Sequence, residues 1–149
     1  MTPTHNNPTI GGGGFHHVAI RARDFDAAVS FYTDVMGFVP AVAWKLADGT
    51  RATMLDTGDG NYLEIFERPN QAPPPKGTEH AILHFAIRTS DVGAATERAR
   101  GAGCEITMEP KDVDIANTVE GRPTPVPVRI AFFRGPEGEL VELFENELT

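Results

Sequence analysis

Two histidines and two glutamates recur in this chain in a pattern that suits a divalent metal. The segment 17–24, HVAIRARD, returns as 84–91, HFAIRTSD, with five of the eight positions identical. A second segment, 62–67, YLEIFE, returns as 140–145, LVELFE. Each copy therefore brings one imidazole (His17, His84) and one carboxylate set among apolar residues (Glu64, Glu142). Two neutral imidazoles and two carboxylates would balance the charge of a divalent ion. Without a metal, two carboxylates forced close together would repel or take up protons. A single histidine in a strand is more often structural or solvated than a ligand, and a lone glutamate usually sits on a wet face. The argument for a ligand set of His17, Glu64, His84 and Glu142 is that both residue types return at equivalent positions. His16 has no counterpart in the repeat and His80 lies outside the repeated block, so both read as surface or core residues. His5 reads as inert.

The elements that must position these side chains follow from the repeat. Each copy reads as β-α-β-β-β. Apolar runs of strand length span 15–22 and 81–89, and each is followed by an aspartate suited to an N-cap, Asp24 and Asp91. Behind Asp24, apolar residues at Phe25, Ala28, Val29, Tyr32 and Met36 share one helical face; behind Asp91, Val92, Ala95, Ala99 and Ala102 do so. Gly37 and Gly103 stop the helices. Three strands follow in each copy, with turns at 48–49, 58–60 and 135–138. The second pair of matches is spaced further apart than the first, so the second module carries an insertion. The proline-rich stretch 109–127 is its expected place. A flexible segment over 1–14 precedes a single domain over 15–149: module 1 about 15–67, a linker about 68–79, module 2 about 80–145.

Strand side chains alternate between faces. Val18, Ile20, Leu63 and Ile65, with Phe85, Ile87, Val141 and Leu143, are expected toward the helices. The opposite faces then carry His17, Ala19, Arg21, Tyr62, Glu64 and Phe66 in one module. In the other they carry His84, Ala86, Arg88, Leu140, Glu142 and Phe144. Arg21 and Arg88 would leave a pocket positive beside a neutralised metal, fit for a small anionic substrate; the alternative is that they salt-bridge to glutamates at the rim. Tyr62, Phe66 and Phe144 would form apolar wall, although Phe66 suits plain core packing equally.

The bulk numbers exclude other classes. The formal net charge is -8 over 149 residues, which argues against a nucleic-acid binder with a general basic surface and against attraction to anionic lipid. The one cysteine, Cys104, cannot close an intramolecular disulfide, so a reducing, cytoplasmic setting is expected. No apolar run approaches the roughly 20 residues of a membrane span. The N-terminus has neither a basic nor an apolar region of the secretory kind.

At the four candidate ligands the sequence resembles the vicinal-oxygen-chelate superfamily, which includes glyoxalase I, methylmalonyl-CoA epimerase, extradiol dioxygenases, fosfomycin-modifying thiol transferases and bleomycin-sequestering proteins. The match runs from about Phe15 to Glu145, and 31–38, FYTDVMGF, is similar to the family's first-helix ending. The resemblance implies an α+β fold of two βαβββ modules whose curved mixed sheets surround the metal. The family's first-strand histidine carries over to His17, the glutamate before the linker to Glu64, the second-module histidine to His84 and the last-strand glutamate to Glu142. This set looks like that of bacterial glyoxalase I. It implies one divalent ion (Ni, Co, Zn, Mn or Fe) and a thiol cosubstrate such as glutathione. It also implies proton transfer through an enediolate, with Glu142 as base and Glu64 as its partner. Arg21, four residues after the first histidine, matches an arginine that meets the glutathione carboxylate in those enzymes. Four residues after Glu64 they commonly have asparagine, and here the residue is Arg68. Relatives pair modules between two chains, so a homodimer is expected. An iron-dependent ring-cleaving dioxygenase and a non-enzymatic drug-binding resistance protein are the other readings the resemblance carries.

Overall fold

Two turns of chain, each opened by an aspartate, set the plan of the molecule. The computed structural model describes residues 9, 11, 14–72, 74–75, 77–78 and 82–146; the expectations for His5 and His80 lie outside them. Module 1 comprises β1 (His17–Ala22), α1 (Phe25–Ser30), β2 (Val39–Lys45), β3 (Arg51–Asp56) and β4 (Tyr62–Glu67). Module 2 comprises β5 (Phe85–Arg88), α2 (Val92–Gly101), β6 (Ile106–Ile115), β7 (Val126–Arg134) and β8 (Leu140–Glu145). Each forms a four-stranded mixed sheet, ordered β1-β4-β3-β2 and β5-β8-β7-β6. The first strand pairs parallel with the last, and the remaining pairs are antiparallel. The expected α+β fold of two βαβββ modules is what the chain forms.

The helix signals act as read. Asp24 accepts from the Ala27 N–H at 3.0 Å and Asp91 from the Ala94 N–H at 2.9 Å, satisfying donors that the first turn leaves free. Gly37 and Gly103 take positive φ, +74° and +89°, where a Cβ would be strained. Three details differ from expectation. The first helix does not continue as α to Met36: beyond Ser30 it widens into a π turn over Phe31–Val35, closed by Met36 N–H to Phe31 C=O at 3.2 Å. The insertion is shorter than 109–127, because β6 runs on to Ile115 and β7 starts at Val126. Pro110 is accommodated where the β6–β7 register slips between Met108 and Lys111, so no ladder bond is asked of it. Finally, Phe15 is 89% exposed outside β1, and His84 lies immediately before β5 rather than within it.

Alternation along the strands decides what is buried. Leu63, Ile65, Val141 and Leu143 are almost fully enclosed, and Ile20, Phe85 and Ile87 pack against them. One apolar cluster draws on both modules, with Phe31 edge-on to Phe133 at 6.1 Å between ring centres. Polar contacts join the modules beside it. Tyr32 Oη donates to Glu139 Oε1 at 2.6 Å, and the Asp24 N–H donates to Glu137 Oε1 at 2.9 Å. Gly135 is needed at this junction: a Cβ there would lie 2.2 Å from Glu139 Oε1 and 3.0 Å from Tyr32 Oη. Among the described residues no helix is long and apolar enough to cross a membrane.

Candidate metal centre

The parallel pairing of first and last strands brings each imidazole to its carboxylate. In module 1, His17 stands opposite Tyr62 and Ala19 opposite Glu64, all on one face. Only a methyl group at Ala19 separates the two longer side chains, and His17 Nε2 comes within 3.2 Å of Glu64 Oε2. Module 2 repeats the arrangement. Ala86 stands opposite Glu142, and His84 Nε2 lies 2.8 Å from Glu142 Oε2. The carboxylates are nearly buried, with side chains 9% and 12% exposed, whereas the imidazoles are 38% and 34% exposed. Each pair is thus a fixed carboxylate beneath an accessible ring. The His84 ring is further held edge-on by Phe132, 5.2 Å away on the strand beside Glu142.

The two pairs do not join within one chain. Among the described residues no three His, Cys, Asp or Glu side chains gather closely enough to hold a metal ion. In donor chemistry each pair suits a divalent ion, with one neutral nitrogen and one anionic oxygen. In number each is short, since two donors do not complete even a tetrahedral site.

The remaining sequence candidates divide. The Arg21 Nη1 donates to Gln71 Oε1 at 3.0 Å. Arg88 reaches Asp59 at 3.3 Å, a pair exposed at both ends and so worth little. Phe66 is half-buried, edge-on to Trp44, with the Arg68 guanidinium 5.5 Å from its ring centre. Tyr62 and Phe144 are half-buried. A cleft of about 1160 Å³ opens between the modules. Its lining includes Val18, Leu63, Phe85 and Ile87, with Arg88 and Asp59, and it contains none of the four candidate ligands. A contact that sequence reading missed is His16, whose Nδ1 lies 3.0 Å from His17 Nδ1 and whose ring packs on Tyr62 at 5.1 Å. The absence of a repeat counterpart hid it. Also missed is Glu139, whose carboxyl is pushed above the usual carboxylate range by burial, the Tyr32 hydrogen bond opposing that shift. Burial likewise raises the Cys104 thiol.

Comparison with known proteins agrees with this architecture. A probable lactoylglutathione lyase of Vibrio parahaemolyticus is 29% identical over 142 residues, spanning 93% of this chain and 94% of the relative. A 2-epi-5-epi-valiolone epimerase of an Actinomyces species is 34% identical over 122 residues, spanning 69% and 67%. Among solved structures, a glyoxalase family protein from Enterococcus faecalis superposes with a TM-score of 0.68 at 23% identity, spanning 89% of this chain and 97% of that one. The family model for the Glyoxalase/Bleomycin resistance protein/Dioxygenase superfamily matches residues 14–143. The chain belongs to that superfamily.

Proposed function

We propose that the protein is a metal-dependent, glyoxalase-like isomerase or lyase acting on a small α-hydroxy-carbonyl compound or hemithioacetal. The observation that carries this reading is the duplicated pair, imidazole Nε2 against carboxylate Oε2 at 3.2 and 2.8 Å, at equivalent positions of both modules. His17 and Glu64 of one copy, with His84 and Glu142 of a second, would make the four-donor set that neither pair makes alone. The active form is therefore a homodimer. A divalent ion held by these four side chains would supply Lewis acidity to a substrate carbonyl and make the adjacent carbon more acidic. Glu142 is the base that moves the proton on the adjacent carbon, and Glu64 is its partner on the other side. Burial keeps water from competing for either carboxylate, while the exposed imidazole edges leave the substrate a way in. Arg21 holds an anionic part of the substrate, and Phe66, Tyr62 and Phe144 wall its apolar part. Relatives named for a lyase and for an epimerase both match the chain, and both reactions are compatible with a proton shuttled beside a carbonyl. The free thiol of Cys104 suits the cytoplasm.

Metal analysis and solvent deuterium exchange test this together. The purified protein should hold about one divalent ion per chain, and His17→Ala or His84→Ala should lose it. With metal bound, candidate hydroxy-ketones and hemithioacetals should exchange deuterium at the carbon next to the carbonyl. Glu142→Gln should slow that exchange by roughly a hundredfold or more while substrate still binds. Retention of metal by both histidine variants overturns the ligand set. Oxygen uptake with a catechol, and no exchange with any substrate, overturns the reaction.

A further inference from the structure

Past the end of β4 the chain builds a second feature on the ligand-bearing face of module 1. The Arg68 N–H donates to the Ala22 C=O at 2.8 Å, which carries the β1–β4 ladder one step beyond the strand. Arg68 therefore continues the alternation of Glu64 and Phe66, and Arg21 stands opposite Phe66. The Arg68 guanidinium lies 5.5 Å from the centre of the Phe66 ring, which Trp44 holds edge-on, and its Nη1 donates to the Glu67 C=O at 2.7 Å. The following turn closes with the Gln71 N–H on the Arg68 C=O at 3.3 Å. It returns Gln71 Oε1 to Arg21 Nη1 at 3.0 Å.

Among the described residues neither of these two arginines makes an ion pair: Arg21 meets a neutral amide, and Arg68 a carbonyl and a ring face. Two carboxylates lie nearby. Glu67 is taken by Arg51 at 2.9 Å. Asp48 attracts Arg68 through space but takes its hydrogen bonds from the Thr50 N–H and hydroxyl, at 2.9 and 2.6 Å. The result is a local concentration of donors on a chain whose formal net charge is -8. With Gln71 Oε1 used on Arg21, the amide NH2 of Gln71 adds to the donors.

We propose that Arg21 and Arg68 form a subsite for a doubly charged oxyanion of the phosphate-monoester type. One guanidinium fork is enough for a carboxylate. Two forks and an amide match a group that carries about -1.5 to -2 at neutral pH and offers three strong acceptor oxygens. The face of the Phe66 ring restricts where the planar Arg68 fork can sit, so less freedom is lost on binding. The ligand is then the phosphate ester of a small hydroxy-carbonyl compound rather than a thiol adduct bearing single carboxylates. This names the charge of the substrate in the reading above, and it rests on that reading only for the link between the anion and the reacting carbon.

The test is calorimetric titration of the full chain, stripped of metal on a chelating resin, with inorganic phosphate and with acetate at equal ionic strength. Phosphate should bind about tenfold or more tightly than acetate. Arg68→Gln should weaken phosphate about tenfold and change acetate by less than about twofold, with Arg68→Lys in between. Equal binding of the two anions, or unchanged phosphate binding by Arg68→Gln, overturns the assignment. Should Arg68→Gln lose its thermal unfolding transition, Arg21→Gln is measured instead: a loss of about tenfold supports the subsite and no loss overturns it. Because no metal is present, the result is separable from the metal reading. A chain that takes up phosphate but no divalent ion keeps this subsite and loses the metal centre, and the converse result does the reverse.

Discussion

His17 presents its two ring nitrogens to different partners, Nε2 to Glu64 and Nδ1 to His16. A contact of 3.0 Å between two Nδ1 atoms is a hydrogen bond only if one of them carries the proton. For His17 Nε2 to offer a lone pair to a metal, its proton must sit on Nδ1, and His16 Nδ1 is then the acceptor. In that state His16 holds the tautomer of its neighbour, the service that a ligand histidine commonly draws from a carboxylate or carbonyl. His16→Ala should weaken metal affinity by about tenfold, at the low end of what loss of such a support costs. Competition against a chelator of known affinity measures this, and unchanged affinity would show that the contact does not orient the ring. Nothing in the sequence distinguished His16, because the repeat argument rewards only positions that occur twice.

At the scale of elements, the periodic features were legible and the packed junctions were not. The aspartate caps, the glycine stops, the strand faces and the duplication all rest on spacing within a few residues. The extent of β6 was not legible, because Pro110 reads as a strand breaker until the register slip that shelters it is seen. Glu139 was invisible for a different reason: it meets Tyr32, in the π turn that follows α1 of the other module. Its burial has a consequence for pH. Desolvation raises the Glu139 carboxyl above its ordinary value, against the opposing hydrogen bonds from Tyr32 and the backbone, with Glu137 adding repulsion. Cys104 also faces the group, its thiol itself raised by burial and by Glu139. A carboxyl raised in the folded state holds its proton where the unfolded chain has released it. Its contribution is therefore complete below the unfolded value of about 4.5 and declines as pH rises through the folded value. Glu139→Gln keeps an acceptor for Tyr32 and removes the charge. It should raise the Tm at pH 8 and flatten the fall in stability above pH 5, with little change at pH 4. Thermal unfolding across that range checks this; a variant less stable than the parent at pH 8 would mean that the ionised form is the favoured partner of Tyr32.

At the scale of the molecule, each module carries one imidazole–carboxylate pair, and within one chain the two pairs stay apart. The spacing of residues in sequence reported the pairs but could not report this separation, which depends on how whole modules are set against each other. The outer strands point the same way. β2 leaves Val39 62% and Val42 53% exposed at the free edge of its sheet, apolar surface of a kind that native proteins usually cover. If each centre draws one pair from each of two copies, the gene product can be complemented in the test tube. Chains bearing His17→Ala and chains bearing His84→Ala are each inactive alone, since every centre they form lacks one imidazole. Unfolded together in equal amounts and refolded, half of the dimers would be mixed. Each of those would carry one centre with both lesions and one with none, so about a quarter of the centres would return. Refolding either variant by itself gives the baseline. A mixture no more active than that baseline would mean that each copy keeps its chemistry to itself, and recovery near a quarter would mean that the unit of function is the pair.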